Sequence, residues 1–466
     1  MSKNLKLKLL LYAVVSAAGF SYLVMPENSG ISIVVFALIQ LACLWFIVPD
    51  RKKLVLFAPI FVMSLNCFIS ASNLWRISNL LVSVVLYSCM FTQFNFKSDS
   101  LSFFGEVGER IFAPFTYFSL PFKWVFEINT GKAPIIKRVA AAIVISVPCV
   151  IILMVVLANA DMVFSMKAWD LLADIFKSFS INVTIIILRG VIAGLYLFGV
   201  LYCAHSDRSY VKEAKLNING DLIIINILLS AVLIVYTLFV IIQFKYLFAG
   251  LALPKGLTYT EYARKGFFEL LSLTGINIAA ILAVVKLTKK HQGRWVLFTK
   301  VLCHYLCVVT IVLLISSFYR MFLYTNDDGL TRLRFFVMGF LVFEAIGLVT
   351  TFVYIAKPKF NIALIYLVLA LSYYTILNII PTDNIIAKNQ INKYLDNERT
   401  GLHYIFTLSA DAAPAMELLF ENTDKEELRD NVKQFIEEKT SLDIPQRWQR
   451  YNFSIEKAKR LLVDLK

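Results

Sequence analysis

Charge is what this sequence has least of. Asp, Glu, Lys and Arg make up 17% of its 466 residues, against about 25% in soluble domains. That shortage excludes an ordinary soluble globule, whose surface needs more ionised groups. Motifs that carry chemistry are missing too. No G-x-x-x-x-G-K-[ST] stretch occurs, which excludes a nucleotide-driven pump housed in this chain. No H-E-x-x-H is present, and His205, His291, His304 and His403 are scattered, so no helical zinc-hydrolase site is written here. There is no G-x-S-x-G nucleophile elbow and no tandem repeat of fixed period. These absences point away from an enzyme, and no catalytic residue, cofactor or metal is expected. Cysteine is absent after Pro381. All seven cysteines (Cys43, Cys67, Cys89, Cys149, Cys203, Cys303 and Cys307) fall in apolar runs. A disulfide framework is therefore excluded, and small buried hydrophobes are the reading left.

What the sequence has in excess is apolar surface. It is 59% hydrophobic and 14% aromatic, with a mean hydropathy of +0.70. A bilayer span needs about 20 mostly apolar residues, and lipid offers backbone groups no partner, so the spans are expected as helices. About eleven runs qualify: Leu7–Met25, Gly30–Val48, Leu54–Ser70, Ile77–Phe94, Val139–Ala158, Ile181–Cys203, Leu222–Phe244, Gly266–Val285, Trp295–Ser317, Phe335–Ala356 and Asn361–Ile380. The fold class expected is all-α, a polytopic transmembrane bundle with a small helical extracytoplasmic C-terminal domain. Three regions follow: 1–138 with four spans and an interfacial loop, 139–380 with seven spans, and the tail 381–466. The first run reads as a retained span, because it is long and no A-x-A site follows it.

Basic residues set the expected orientation. Lys3, Lys6 and Lys8 hold the N-terminus in the cytoplasm, and "PDRKK", "DRSYVKEAK", "KLTKKHQGR" and "KPK" fall on the same side. The loop "PENS" on the other side has no basic residue. An odd number of spans puts everything after Pro381 outside, in a bacterial inner membrane. The net charge of +14 is then largely this bias. It suits anionic lipid headgroups, and nucleic acid is not an expected partner.

Two loops and the tail have their own character. "FFGEVGERIFAPFTYFSLPFKWVFEI" reads as an aromatic segment along the inner interface. "DMVFSMKAWDLLADIFKSFS" sets Met166, Trp169, Leu172 and Phe176 against Lys167, Asp170, Asp174 and Lys177, the pattern of a helix on the outer surface. In the tail, Thr423 and Glu426 read as a capping box and Ser454 as a second helix start. "LSADAAPAMELLFE" reads as a short helix with Pro414 near its start.

Two charged clusters are assigned to the outer face. In "YTEYARKGFFELL", Glu261 and Thr258 form a capping box, and Lys265 stands one turn from both Glu261 and Glu269. Arg264 is off that ladder and opposes the helix dipole, so it asks for another anion. In "YRMFLYTNDDGLTRLRFF", Arg320 ends a span, Asn326 to Gly329 form a tight turn with Asp327 and Asp328, and Arg332 and Arg334 open the next span. Both clusters read either as a salt-bridged collar or as a site for an anionic headgroup, glycan or peptide. Deeper in the spans, Arg189 and Glu344 match in depth and oppose in sign, which makes them candidate partners. His304 and Cys307 share a helix face but are too few for a metal site.

"EYARKGFFELL", "YRMFLYTNDDGLTRLR" and "LSADAAPAMELL" together resemble a bacterial polytopic membrane family known only as a domain of unknown function (DUF 4153/4173). The resemblance runs from about Val139 onward and implies no reaction, substrate or cofactor. The function expected is a membrane-embedded binding or assembly protein whose outer collar and tail engage an anionic envelope component or a partner membrane protein. The alternatives are a transporter or lipid translocase using Arg189 and Glu344, and last an intramembrane enzyme. Broken helices facing each other would favour transport. A closed bundle with a polar outer face would favour binding.

Overall fold

A computed structural model describes residues 2–24, 30–91, 100–127, 181–206, 220–243, 267–288, 291–358, 360–397, 401–440 and 448–465. Sixteen α-helices are described. The first six are α1 (Lys3–Gly19), α2 (Ile31–Ile47), α3 (Phe57–Ile69), α4 (Asn73–Cys89), α5 (Ser100–Phe112) and α6 (Leu120–Glu127). Next come α7 (Ile181–His205), α8 (Leu222–Gln243), α9 (Phe267–Leu287), α10 (Arg294–Asp328), α11 (Arg332–Ala356) and α12 (Ile362–Ile379). The tail holds α13 (Thr382–Asn397), α14 (Ala413–Asn422), α15 (Glu426–Thr440) and α16 (Phe453–Asp464). Among the described residues there is no strand.

Eight helices are long and apolar enough to cross a membrane. They match eight of the expected spans. α2 is apolar but shorter, at 17 residues. α4 is also 17 residues and replaces the expected Ile77–Phe94. The expected span Val139–Ala158 and the outer amphipathic helix lie outside the described residues. The helices turn apolar side chains outward, as a lipid-solvated bundle must: Ile227 and Val235 of α8 are 66% and 67% exposed.

Among the described residues, three large hydrophobic cores organise the chain, beside a small cluster at Ala363 and Leu364. The first joins α1, α2, α3, α4, α6 and α7 through Leu9, Leu44, Met63 and Phe198. The second joins α8 to α11 through Ile281, Leu306, Leu341 and Leu348. The third belongs to the tail and centres on Ile386, Ile405, Met416 and Phe435. Each such side chain fully buried stabilises by roughly 1.5–3 kcal/mol, so the tail has a core of its own. α12 ties the first two groups, since it packs on both α3 and α11. Buried amides reinforce that tie. Asn79 Nδ2 donates to Asn378 Oδ1 (2.7 Å), Asn66 Nδ2 donates to the Asn378 carbonyl (2.6 Å), and Tyr374 donates to Asn79 Oδ1 (2.7 Å).

α7 belongs to the first core, and small residues bring it there. Gly190 and Gly194 are four apart and face Ala13, Ala17 and Ser21. A Cβ on Gly194 would stand 2.7 Å from the Ala13 carbonyl oxygen and from Ala17 Cβ. This is the G-x-x-x-G device by which membrane helices approach backbone to backbone.

The polar ends of the bundle differ. Lys6 at the start of α1 lies over the Trp124 ring of α6, 5.2 Å from its centroid. The opposite end of α1 meets the start of α2, where Ser32 Oγ donates to the Leu23 carbonyl (2.5 Å). The tail sits at this second end. Gly30 N donates to the Gln449 carbonyl (2.8 Å) and Ile31 N to the Tyr451 carbonyl (2.9 Å).

Candidate functional site at the tail face

Arg332 and Asp383 form the centre of this face. Arg332 opens α11, behind the N-cap Thr331, and Asp383 opens α13, in its first turn. The guanidinium grips the carboxylate with both arms: Nε to Oδ1 at 2.7 Å and Nη2 to Oδ2 at 2.5 Å. Such a fork is among the strongest ion pairs proteins make. Asp383 Oδ2 also accepts from the Ser409 hydroxyl (2.6 Å) and the Ser409 backbone N–H (3.0 Å). The Arg332 backbone N–H donates to the Tyr404 hydroxyl (2.9 Å). Burial by itself raises the Asp383 pKa, but the hydrogen bonds from Arg332 and Ser409 outweigh it and hold the carboxyl below its ordinary value.

"LSADAAPAMELL" supplies the next contact. Asp411 Oδ2 accepts from the Ser70 hydroxyl (2.5 Å) and Oδ1 from the Ala71 N–H (2.8 Å), in the turn between α3 and α4. Asn452 then donates to the carbonyls of Cys67 (3.2 Å) and Ser70 (2.9 Å) at the C-terminus of α3. Its Oδ1 caps α16 by accepting from Ser454 N and Ile455 N, so the cap lies two residues before the expected Ser454. Thr423 accepts from Lys425 N rather than forming the expected box with Glu426.

The α10–α11 hairpin is held by the same tail. The expected turn over Asn326–Gly329 is shorter than predicted, because α10 continues through Asp328. Two things prolong it. Lys393 Nζ donates to the carbonyls of Thr325 (2.7 Å) and Asn326 (2.5 Å), adding a donor where the helix runs out of its own N–H groups. Gly329 takes φ +81°, the left-handed region where glycine is at ease, and Gln390 donates to the Leu330 carbonyl (2.8 Å). A Cβ on Gly329 would meet that Gln390 side chain at 2.6–2.7 Å. As a consequence, Arg320 does not end a span. It sits inside α10 and is 4% exposed. Arg334 bonds Asp328 Oδ2 (3.1 Å) and the Gly329 carbonyl (2.5 Å) and lies 3.7 Å over the Tyr324 ring.

The sequence-predicted site residues therefore divide. Arg332, Arg334 and Asp328 are brought together with the tail. Asp327 lies in the last turn of α10. Glu269 is exposed in the first turn of α9. Glu261, Arg264 and Lys265 lie outside the described residues. Arg189 and Glu344 are not brought together. Arg189 is exposed on α7, beside the glycines that pack on α1, whereas Glu344 is buried on α11 with Oε1 2.6 Å from Thr274 Oγ1 of α9. Their expected pairing rested on depth and sign, and the two helices belong to different cores. His304 and Cys307 do not converge either. His304 Nδ1 meets the Lys300 carbonyl (2.7 Å), and Cys307 Sγ meets the Leu348 carbonyl (3.6 Å).

Asp383, Ser409, Asp411, Asn452, Gln390 and Lys393 were not singled out from sequence. For Asp383 the sequence offers one signal, an acid in the first turn of a helix that starts just after Pro381. The Gly190/Gly194 spacing was also readable.

A chain whose described residues are helical, with eight helices among them long and apolar enough to cross a membrane, is an integral membrane protein. It matches the family described as "Domain of unknown function (DUF4153)" over residues 36–419, and it belongs to that family. The match begins in α2, well before the Val139 expected, and it ends in α14, so it takes in Ser70, Arg332, Asp383, Ser409 and Asp411. No curated protein and no solved structure matches the chain.

Proposed function

We propose that this is a membrane-embedded binding or assembly protein of the bacterial cell envelope, which holds a small helical domain rigidly on the outer face of the inner membrane. The clasp of Arg332, Asp383 and Ser409 carries the reading, because a tail tethered only by its chain would need no bidentate buried ion pair. The orientation rests on Lys3, Lys6 and Lys8 standing at the end of the bundle opposite the tail. Trp448, Tyr451 and Phe453 are exposed beside the start of α2, where an aromatic belt meets the membrane interface. The charged hairpin (Arg332, Arg334, Asp328) is engaged by the tail, so the outer surface of the tail is where an envelope component meets the protein.

A photo-crosslinking residue at the exposed positions Glu427 and Asp430 of α15 tests this in intact cells. An adduct with an envelope component is expected, and Asp383→Asn should abolish it by loosening the tail. No adduct at either position, or adducts indifferent to the clasp, rejects the reading. A cysteine at Glu427 should react with an impermeant maleimide from outside; reaction only after the inner face is opened reverses the orientation. A second reading, a transporter or lipid translocase, is favoured by one observation, the buried carboxyl of Glu344 halfway along α11.

A further inference from the structure

Glu344 lies at the midpoint of α11. Twelve residues separate it from Arg332 and twelve from Ala356 (344 − 332 and 356 − 344), about 18 Å of helix either way at 1.5 Å per residue. It is 5% exposed, and its neighbour Thr274 on α9 is 0% exposed.

The hydrogen-bond count around Thr274 decides the state of this acid. Thr274 Oγ1 stands 2.6 Å from Glu344 Oε1 and 2.7 Å from the Leu271 carbonyl oxygen. A threonine hydroxyl has one proton to give, and a carbonyl only accepts. Both contacts are hydrogen bonds only if Glu344 supplies the other proton, with Oε1 as the O–H of a neutral carboxylic acid donating to the Thr274 lone pair. The ionised alternative gives a full negative charge one hydrogen bond, while Oε2 is buried with no partner. No cation compensates it, since Glu344 has no ion pair among the described residues. Thr274, Gly275 and Tyr366, the described residues beside it, carry no charge. On α9, Gly275 presents no side chain, and an added Cβ would be 4.0 Å from Oε1. On α10, Cys307 is engaged with the Leu348 carbonyl. From α12, the Tyr366 hydroxyl donates to the Gly347 carbonyl (2.8 Å) and meets Thr351 (2.7 Å).

We propose that Glu344 is a proton-binding site in the core of the helix bundle, occupied at neutral pH, whose proton joins α11 to α9 through Thr274. This goes beyond the tail-holding role and does not rest on it. Loss of the proton leaves a lone charge between two packed helices, in a medium that penalises it. The α9–α11 contact must then loosen to admit water or a cation, so proton occupancy biases how these helices pack.

The test uses the full chain in lipid nanodiscs. Infrared difference spectra between wild type and Glu344→Gln at neutral pH should contain the carbonyl stretch of a protonated carboxylic acid. Wild-type protein treated with dicyclohexylcarbodiimide, which reacts with protonated carboxyls in apolar surroundings, should be modified at Glu344. The yield should fall several-fold from neutral to strongly alkaline pH, with Asp383 unmodified throughout. The second measurement needs no variant, so a poorly folding Glu344→Gln does not block the decision. Absence of the acid carbonyl band, or absence of a Glu344 adduct at every pH, overturns the proposal. Neither result bears on the clasp at the tail face.

Discussion

Asp383 and Glu344 are buried alike, 2% and 5% exposed, and are held in opposite ways. Asp383 faces a guanidinium fork, a hydroxyl and a backbone N–H, so its charge is shared among four donors. Among the described residues Glu344 faces one threonine hydroxyl and no cation. The difference follows from place. Asp383 lies beyond the last span, where an arginine can reach it while 29% of the arginine side chain still meets water. Glu344 lies at mid-depth, where a lone charge costs about 2.5–3.5 kcal/mol on insertion scales. The lesson is that burial alone does not set what an acid does: the number of donors converging on it decides whether the charge is kept.

The largest expected effect is therefore at the clasp. Asp383→Asn keeps the shape and removes the charge. It leaves Arg332 facing an amide that accepts at one atom only. A broken buried pair costs about 3–5 kcal/mol, and partial exposure of Arg332 argues for the lower end. We expect a loss of about 3 kcal/mol, read as a lower unfolding midpoint of the tail and faster hydrogen exchange at Ser409 and Asp411. Acid should reach the same end by titration. The Asp383 carboxyl sits below its ordinary value in the folded protein. Its contribution is then fully present above the unfolded value of about 3.9 and is lost as pH falls through the lower folded one. Protection of the Ser409 amide, taken relative to its intrinsic exchange rate at each pH, should hold down to about pH 4 and fall below it in wild type, and should not change in that range in Asp383→Asn.

The interior is held by fit instead of charge, and Gly194→Leu should show it. The side chain has to enter space already filled by the Ala13 carbonyl and Ala17. Overpacking costs about 1–3 kcal/mol where neighbours can shift. Backbone cannot shift far, so about 3 kcal/mol is expected, with separation of a crosslink between α1 and α7 as the readout. An unchanged crosslink yield would mean that the two helices are held elsewhere. Asn79→Leu comes next. It removes the donor to Asn378 and the acceptor for Tyr374, and hydrogen bonds between membrane helices are worth about 0.6 kcal/mol each and at most about 1.7. A drop of about 1 kcal/mol in detergent stability is expected.

Much of the fold was legible because lipid leaves a chain few choices. An apolar run of about 20 residues has to be a helix, and eight expected spans are there as helices. The charged hairpin was legible as a cluster, and so was the motif around Ser409. Their partners were not. Arg332 finds Asp383 51 residues on, and Asp411 finds Ser70 341 residues back. No local rule links positions so far apart. Arg189 and Glu344 show the opposite error. Depth and sign can be read locally, but which helices neighbour each other cannot. α7 is drawn to α1 by two glycines, and that puts the helix carrying Arg189 in a different core from the helix carrying Glu344.

The smallest effect is expected where the same conservative change is made at the second acid. Glu344→Gln replaces a neutral acid by a neutral amide of nearly equal shape. The amide nitrogen can donate to the Thr274 lone pair as the acid O–H does, and Thr274 can keep its bond to the Leu271 carbonyl. The amide's second N–H has no counterpart on the acid and adds one unpaired donor, so a loss of no more than about 1 kcal/mol is expected. Were Glu344 ionised and stabilised by a cation drawn from solution, the amide would lose that partner. Stability would then fall with added chelator or salt exchange in wild type and not in the variant. Thermal unfolding of the two proteins side by side, with Asp383→Asn as the third, separates these cases. Removing the charge should damage the tail face by several-fold more than the core; equal losses at both acids would mean that Glu344 also keeps its charge.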